Sequence, residues 1–430
     1  MIESQKKASS LDVILLMVYS IVGMSKLFPI LNTISIYIVF AGLLWCTWKN
    51  QLYKIAPLFI FFNSSILFYA GTAITDLYFA TYILVYIIKK PQIHISANNM
   101  LLAGFCLYCV FIVSAYSLQT AIAIILSFLA LAFLLEELSD YNKWIKFCKW
   151  YIVALLAATL YGIGNYIDGI SSNIYSTFRY TVTFTDSNYA GFFLSAGLYM
   201  AFFLKKELNA WIRWFVICVS LISILITISS SAIIANVCII SIIYLTGMNK
   251  KINTRIIWKT VVFIVAGLLI INWSRSIFPG AERTFSRFME KILQFQNGGI
   301  DDATTERSII WKEHLEFFWN QDNFLQILFG GNYLTDRGMD YSKFSIVSHQ
   351  VYIDALICFG VVGTVVYIMF IFRMLIKKWN SRKLSNTNQL SFVLLLLWII
   401  YSFVLSMFPF WGFMLFLMID IRNEVSTHAY

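Results

Sequence analysis

Residues 350–372 read QVYIDALICFGVVGTVVYIMFIF, and Arg373, Lys377, Lys378, Arg382 and Lys383 follow closely. The run carries one charged side chain, Asp354. A helix needs about 20 mostly apolar residues to cross the hydrocarbon core of a bilayer, and this stretch supplies them. Basic residues directly after such a run are the pattern that keeps a helix end in the cytoplasm. The stretch before it, 274–348, is of the opposite kind, with 10 of the 22 acidic residues and 8 of the 32 basic ones.

Working outward, the same alternation of apolar run and charged break fills the chain. Runs lie near 11–29, 31–48, 55–71, 73–88, 99–116, 118–135, 150–167, 189–205, 211–229, 231–247 and 259–273. After the polar stretch come 350–372, 390–407 and 409–420. The fold class expected is all-α: a polytopic transmembrane bundle of about 12–14 helices with one large extracytoplasmic loop. Its parts are residues 1–273 and 349–430 as the two portions of the bundle and 274–348 as the loop.

Composition agrees. Of 430 residues 60% are hydrophobic, 17% aromatic and only 13% charged, with a mean hydropathy of +0.75. Soluble domains carry about 25% charged residues, so a soluble protein is excluded. The net charge of +10 does not point to nucleic acid, because its placement is that of helix orientation. With the N-terminus inside, 22 of the 32 basic residues fall in cytoplasmic segments and only Lys26 and Arg179 in short outer loops. Both termini are therefore expected in the cytoplasm and 274–348 outside. Cys106 and Cys109 form a C-x-x-C inside an apolar run, with no second pair or nearby histidine, and read as packing residues.

A polar connection of seventy-odd residues is far longer than a normal helix linker. Its middle, Glu306 to Trp319, has helical periodicity: Ile310, Trp311, Leu315, Phe318 and Trp319 on one side, Lys312, Glu313 and Glu316 on the other. Such a helix would lie on the membrane surface or on the bundle. Ionisable groups at the outer rim are costly and are functional candidates. Arg179, Asp186, Arg275, Arg283, Arg287, Arg307, His314, Arg337 and His349 make up this set, and Asp354 stands within the bundle. His349 sits where the polar loop meets the apolar helix and suits proton transfer near neutral pH. It equally suits a plain helix-start polar residue with Ser348 as cap. Arg179 reads as a ligand group or as an interfacial anchor among aromatic neighbours. Arg307, Trp311 and His314 recur at helical spacing and fit either recognition or amphipathic packing. Asp301-Asp302 is a lone acidic pair. The sequence has no P-loop, no H-E-x-x-H and no serine nucleophile elbow. Arginine-rich outer loops suit a phosphate-bearing ligand.

Three segments in order resemble the O-antigen polymerase and O-antigen ligase superfamily of membrane glycosyltransferases. The first is Arg179-Tyr-Thr-Val-Thr-Phe-Thr-Asp186-Ser-Asn188-Tyr-Ala-Gly191. The second is Arg307-x-x-x-Trp311 with Phe329-Gly330-Gly331 about twenty residues later. The third is His349-Gln350-x-Tyr352-Ile353 leading to Phe359-Gly360-Val-Val-Gly363. The resemblance implies transfer, on the outer face of the bacterial inner membrane, of a saccharide from undecaprenyl diphosphate to an acceptor hydroxyl, with no cofactor and no metal. It implies Arg179 and Arg307 on the diphosphate and His349 activating or orienting the acceptor. Asp186, Asn188, Trp311, His314, Tyr352 and Asp354 would line the substrate. Partners would be the lipid-linked oligosaccharide, membrane lipids and a polysaccharide chain-length regulator, and no nucleic acid. Gln350 stands where the family often has Asn, and Ser229-Ser230-Ser231 replaces its frequent Ser-Arg-Gly. The missing Ser-Arg-Gly, with the high Ile, Phe and Tyr content, fits an O-antigen polymerase of lipopolysaccharide biosynthesis better than a ligase onto lipid A-core. A transporter of lipid-linked sugars is the rival from another class, for which internal repeats and broken helices with intramembrane charges are expected.

Overall fold

The computed structural model of the chain describes residues 9–62, 68–69, 72–89, 103–104, 106–108, 110, 118–171, 180–184, 186–227, 229–246, 286, 293, 307–330, 348–405 and 411–421. The expected span at 259–273, most of 99–116, Arg179, Asp301-Asp302, and the loop arginines Arg275, Arg283, Arg287 and Arg337 lie outside them.

The regular secondary structure among the described residues is helical apart from a minimal hairpin, in which Phe68–Tyr69 pairs antiparallel with Thr72–Ala73. The helices are α1 (Ser10–Met24), α2 (Pro29–Lys49), α3 (Ala56–Phe62), α4 (Ile74–Lys89), α5 (Leu118–Leu138), α6 (Tyr141–Ser171), α7 (Ser187–Phe203), α8 (Ala210–Thr227) and α9 (Ser230–Leu245). They continue with α10 (Arg307–Trp319), α11 (Phe324–Phe329), α12 (Val351–Ser381), α13 (Asn386–Ser402) and α14 (Trp411–Met418). Among the described residues five stretches are long and apolar enough to cross a membrane: Ile30–Lys49, Ala121–Leu138, Tyr141–Ile167, Ala210–Thr227 and Val351–Ser381. Other expected crossings coincide with shorter apolar helices such as Ser10–Met24 and Ser231–Leu245.

The chain divides into two compact units. The first comprises residues 1–94, 129–223 and 421–430. Its spine is α6, against which α1, α3 and α7 pack. Trp144, Phe147, Tyr151, Ala154, Leu155 and Ala158 recur every three or four residues and are fully buried, so helical periodicity translates directly into one inward stripe. The Tyr151 hydroxyl donates to Phe193 O at 2.9 Å, so that polar atom of the stripe is satisfied inside the core. Two ion pairs lie in this unit: Lys54 lies 2.6 Å from Asp12, and Glu137 takes Lys143 at 2.7 Å and also accepts from the Tyr82 hydroxyl.

The second unit comprises residues 95–128 and 224–420. Helix α12 is its axis, contacting α10, α11, α13 and α14. The helix breaks at Gly360, whose φ of 65° and ψ of −172° are not helical. At the break α11 meets α12 backbone to backbone, because Gly330 (φ 77°, ψ −165°) faces it. That region of backbone space is essentially restricted to glycine. A Cβ on Gly330 would stand 2.1 Å from Cys358 O, and one on Gly360 2.5 Å from Leu328 O. The Tyr108 hydroxyl is 2.7 Å from Phe329 O and 2.6 Å from Phe359 O, on both sides of the same contact. At the other end of α12 the Lys378 ammonium is buried and donates to Phe416 O at 3.2 Å and Ser391 O at 3.4 Å, while Lys377 pairs with Asp420 at 2.5 Å.

Candidate functional site

Helix α10 begins at Arg307, close to the start expected from its periodicity, and seats Ile310, His314 and Phe318 at i, i+4 and i+8. Phe318 joins Ile353 and Ile357 of α12 in a small core, with Trp311, Leu315 and Ile327 packed around it. Trp319, expected on the buried side, is exposed, because 100° per residue carries it off the stripe that Phe318 occupies. His314 is fully buried and its Nδ1 lies 2.7 Å from Ile310 O.

This seating brings α10 over the turn that opens α12. Trp311 Nε1 donates to Ser348 O at 2.9 Å. The Ser348 hydroxyl accepts from Gln350 N at 3.1 Å and donates to the Asp354 carboxylate at 2.5 Å. Ser348 and Asp354 are both buried. The helix cap position falls on Gln350, not Ser348, and Gln350 makes no side-chain cap bond. Ser348 instead braces the turn from outside the helix, and Asp354 lies in the first turn, where a carboxylate is favoured by the helix dipole.

His349 lies between those braces. Its φ is 54°, a left-handed backbone that few residues other than glycine adopt, although histidine does so more readily than most. The imidazole is half-buried on a backbone fixed at Ser348 on one side and at the helix start on the other. Tyr352, one turn on, has its hydroxyl 2.9 Å from Ser402 Oγ and its ring 5.1 Å from Phe403. Arg307 donates from Nη1 to Val404 O at 3.4 Å, a long bond near the limit of what counts as one. Arg307, Trp311, His349, Tyr352 and Asp354 therefore gather where α10, the 348–350 turn and the 402–404 segment meet. Of the residues singled out in the sequence, these five form one cluster, and buried His314 supports its helix from beneath.

Of the other candidates, Asp186 and Asn188 lie in the other unit. Arg179 is outside the described residues, but the segment after it is ordered into a turn. Tyr180 is buried and its hydroxyl donates to Thr159 O at 3.1 Å; burial pushes this phenol up, so it stays protonated. Thr183 donates to Phe61 O. Val182 has a φ of 59°, an outlier for a β-branched side chain. Asp186 caps α7, its carboxylate accepting from Asn188 N at 2.7 Å, and Asn188 is buried in the first turn. Of three non-glycine residues with positive φ among the described ones, Val182 and His349 fall in the segments the resemblance singles out, and the third, Asn50, ends α2. Backbone strain of this kind costs about 1–3 kcal/mol and clusters at functional sites.

Sequence reasoning missed the bracing by Ser402 and Val404 and the role of Tyr108. No spacing rule links these positions to residues 50–250 places away. Among the described residues no group of three or more His, Cys, Asp or Glu side chains is placed to hold a metal ion. Comparison with family models and with curated proteins finds no match.

Proposed function

We propose that the protein is an O-antigen, or similar surface-polysaccharide, polymerase that joins undecaprenyl-diphosphate-linked repeat units on the outer face of the bacterial inner membrane. The observation that carries this reading is the gathering of Arg307 and Trp311 from one stretch of chain, and His349 and Tyr352 from another, around one braced turn. The acceptor hydroxyl oxygen attacks the anomeric carbon of the donor, the bond from that carbon to the phosphate oxygen breaks, and the lipid diphosphate leaves with the electron pair. His349 takes the acceptor proton. The Arg307 guanidinium offers parallel N–H groups to phosphate oxygens, and its long bond to Val404 O is easily exchanged for stronger charge-assisted ones. For Arg179 the assignment to phosphate stays with the sequence. Aromatic Trp311 and Tyr352 supply faces for sugar rings.

A lipopolysaccharide gel of a deletion strain tests the reading. Loss of the ladder with retention of core plus one repeat is expected; loss of that single-repeat band as well would indicate a ligase or a transporter. Complementation with Arg307→Ala should fail at normal membrane abundance, and Arg307→Lys should rescue poorly, since an ammonium cannot form the two-pronged contact. His349→Ala should lower polymer by about 10²–10⁴-fold if the imidazole is the base. His349→Gln separates base from orienting group, because glutamine hydrogen-bonds but does not accept a proton near neutral pH. Full activity of the Ala variant would remove His349 from the site.

A further inference from the structure

Helix α12 changes character at Gly360. From Val351 to Phe359 every residue is buried or half-buried. Beyond the break Val362, Val365, Val366, Met369, Phe372 and Ile376 are exposed, and their spacing of three and four residues sets them on one face. In a helix apolar enough to cross a membrane, a bare apolar stripe of that length faces lipid. From Gly360 to Lys378 the helix rises about 27 Å, close to the ~30 Å thickness of a hydrocarbon core, so the part after the break spans by itself.

The part before the break runs beside α10. Trp311 reaches Ser348 O, and Phe318 meets Ile353 and Ile357, so the two helices share one level over this length. The other side of α10 exposes Lys312 and Glu316. Were hydrocarbon to begin at Val351, both charges would lie at acyl depth, where ionised side chains are costly and rare.

Helix α11 meets α12 at the break itself, with the backbone of Leu328 and Gly330 against that of Cys358, Phe359 and Gly360. At that level Phe324 is 66% exposed, Leu325 62% and Phe329 47%, and Trp319 at the end of α10 is 60% exposed. Gln326 is the single polar residue of α11, whereas the approach to it, Asn320 to Asn323, is polar throughout. The glycine contact holds one side of α11 on α12, so the bare side chains cannot turn inward without breaking it. Tryptophan beside large apolar side chains is the composition of a membrane–water boundary.

We propose that this boundary lies at the Gly360 break and that α11, with Trp319, is an interfacial anchor whose Phe324, Leu325 and Phe329 side chains enter the acyl region of the leaflet. The occupant of this face is phospholipid acyl chain, because the face lies level with the start of the lipid-facing stripe at Val362. His349, eleven residues before the break, then stands about 15 Å above the hydrocarbon, and Asp354 is spared a place within it.

The test places a photoreactive benzophenone amino acid at one position at a time in the full chain, reconstituted in liposomes of monounsaturated phosphatidylethanolamine and phosphatidylglycerol. Acyl-chain adducts are read by mass spectrometry. Every labelled side chain is exposed, so its bulk is accommodated, and Val365 in the stripe is the reference for lipid. Phe324, Leu325 and Phe329 should give adducts at a yield close to that of Val365, and Lys312, Glu316 and Asp322 roughly ten-fold fewer. Adducts at Glu316 as frequent as at Val365 would put the boundary at the start of α12 and overturn the placement at Gly360. Adducts of Phe324 or Leu325 with a second copy of the chain in place of lipid would make the face a protein contact and overturn the anchor. So would an absence of adducts at all three α11 positions while Val365 labels. No transfer reaction enters the measurement, so failure of the polymerase reading leaves the anchor standing.

Discussion

Substitution of alanine at Gly360 probes the contact that fixes α11 on α12. With φ 65° and ψ −172°, an alanine there occupies a region that is essentially glycine-only, a strain of about 1–3 kcal/mol. The added Cβ would also lie 2.5 Å from the carbon and oxygen of Leu328 and from the nitrogen of Gly330, whereas ordinary contact begins at 3.4 Å. All three atoms are backbone, so no side chain can swing aside, and relief requires α11 and α12 to part. Parting loosens the packing around Phe318, Ile353 and Ile357, an overpacking effect of roughly 1–3 kcal/mol. The two together give roughly 2–6 kcal/mol. Melting of the purified protein in detergent should fall by about 5 °C or more. Gly330→Ala should act alike, and the double variant should cost less than the sum, because both atoms violate one contact. Gly104→Ala is the control, as a Cβ there meets nothing within 4 Å. If Gly360→Ala and Gly104→Ala melt together, the glycine contact is not what holds α11.

Tyr108→Phe removes the hydroxyl that lies beside both Phe329 O and Phe359 O and should cost about 1–2 kcal/mol, a smaller melting shift than Gly360→Ala; an unshifted melt would take Tyr108 out of the contact. Ser348→Ala strips a buried Asp354 oxygen of its 2.5 Å donor and should destabilise by about 1–3 kcal/mol while losing polymer. Ser348→Thr should recover part of both in the melt and the gel, and an Ala variant with a full ladder would separate that brace from function.

Most helices were legible because their signal is local. Apolar runs bounded by charge mark where a helix lies, so 31–48 became Pro29–Lys49 and 211–229 became Ala210–Thr227. The surface helix was legible for the same reason, since the period of Ile310 and Phe318 needs no knowledge of α12. What α10 rests on was not, because Trp311 to Ser348 and Arg307 to Val404 are contacts set by tertiary packing. Asp354 illustrates the limit. Hydropathy marks it as a lone acid in an apolar helix, yet only the coordinates show Ser348 compensating it. Gly330 and Gly360 read as paired motif glycines in sequence, and the structure adds that each exists to make room for the other's backbone.

The supports of the 348–350 turn form one chain of contacts of graded stiffness. Gly330 on Gly360 is backbone against backbone and cannot adjust through rotamers. It fixes α11, while the apolar core of Phe318, Ile353 and Ile357 fixes α10 on the same helix. From α10, Trp311 reaches the carbonyl of Ser348, and Ser348 reaches both the start of α12 and Asp354. His349 is thus the one link whose backbone is strained and whose neighbours on both sides are anchored. A residue at positive φ persists only where its surroundings over-determine it. The bonds of Ser348 and the seat of Trp311 supply that constraint here. A weakened brace should therefore let the turn relax toward an ordinary backbone and carry the imidazole with it, with little change in the rest of the bundle. That separates the expected phenotypes. Gly360→Ala lowers stability first and polymer as a consequence, whereas Ser348→Ala loses polymer out of proportion to its melting shift, since a misplacement of about 1 Å at a reacting group costs on the order of 10²-fold in rate.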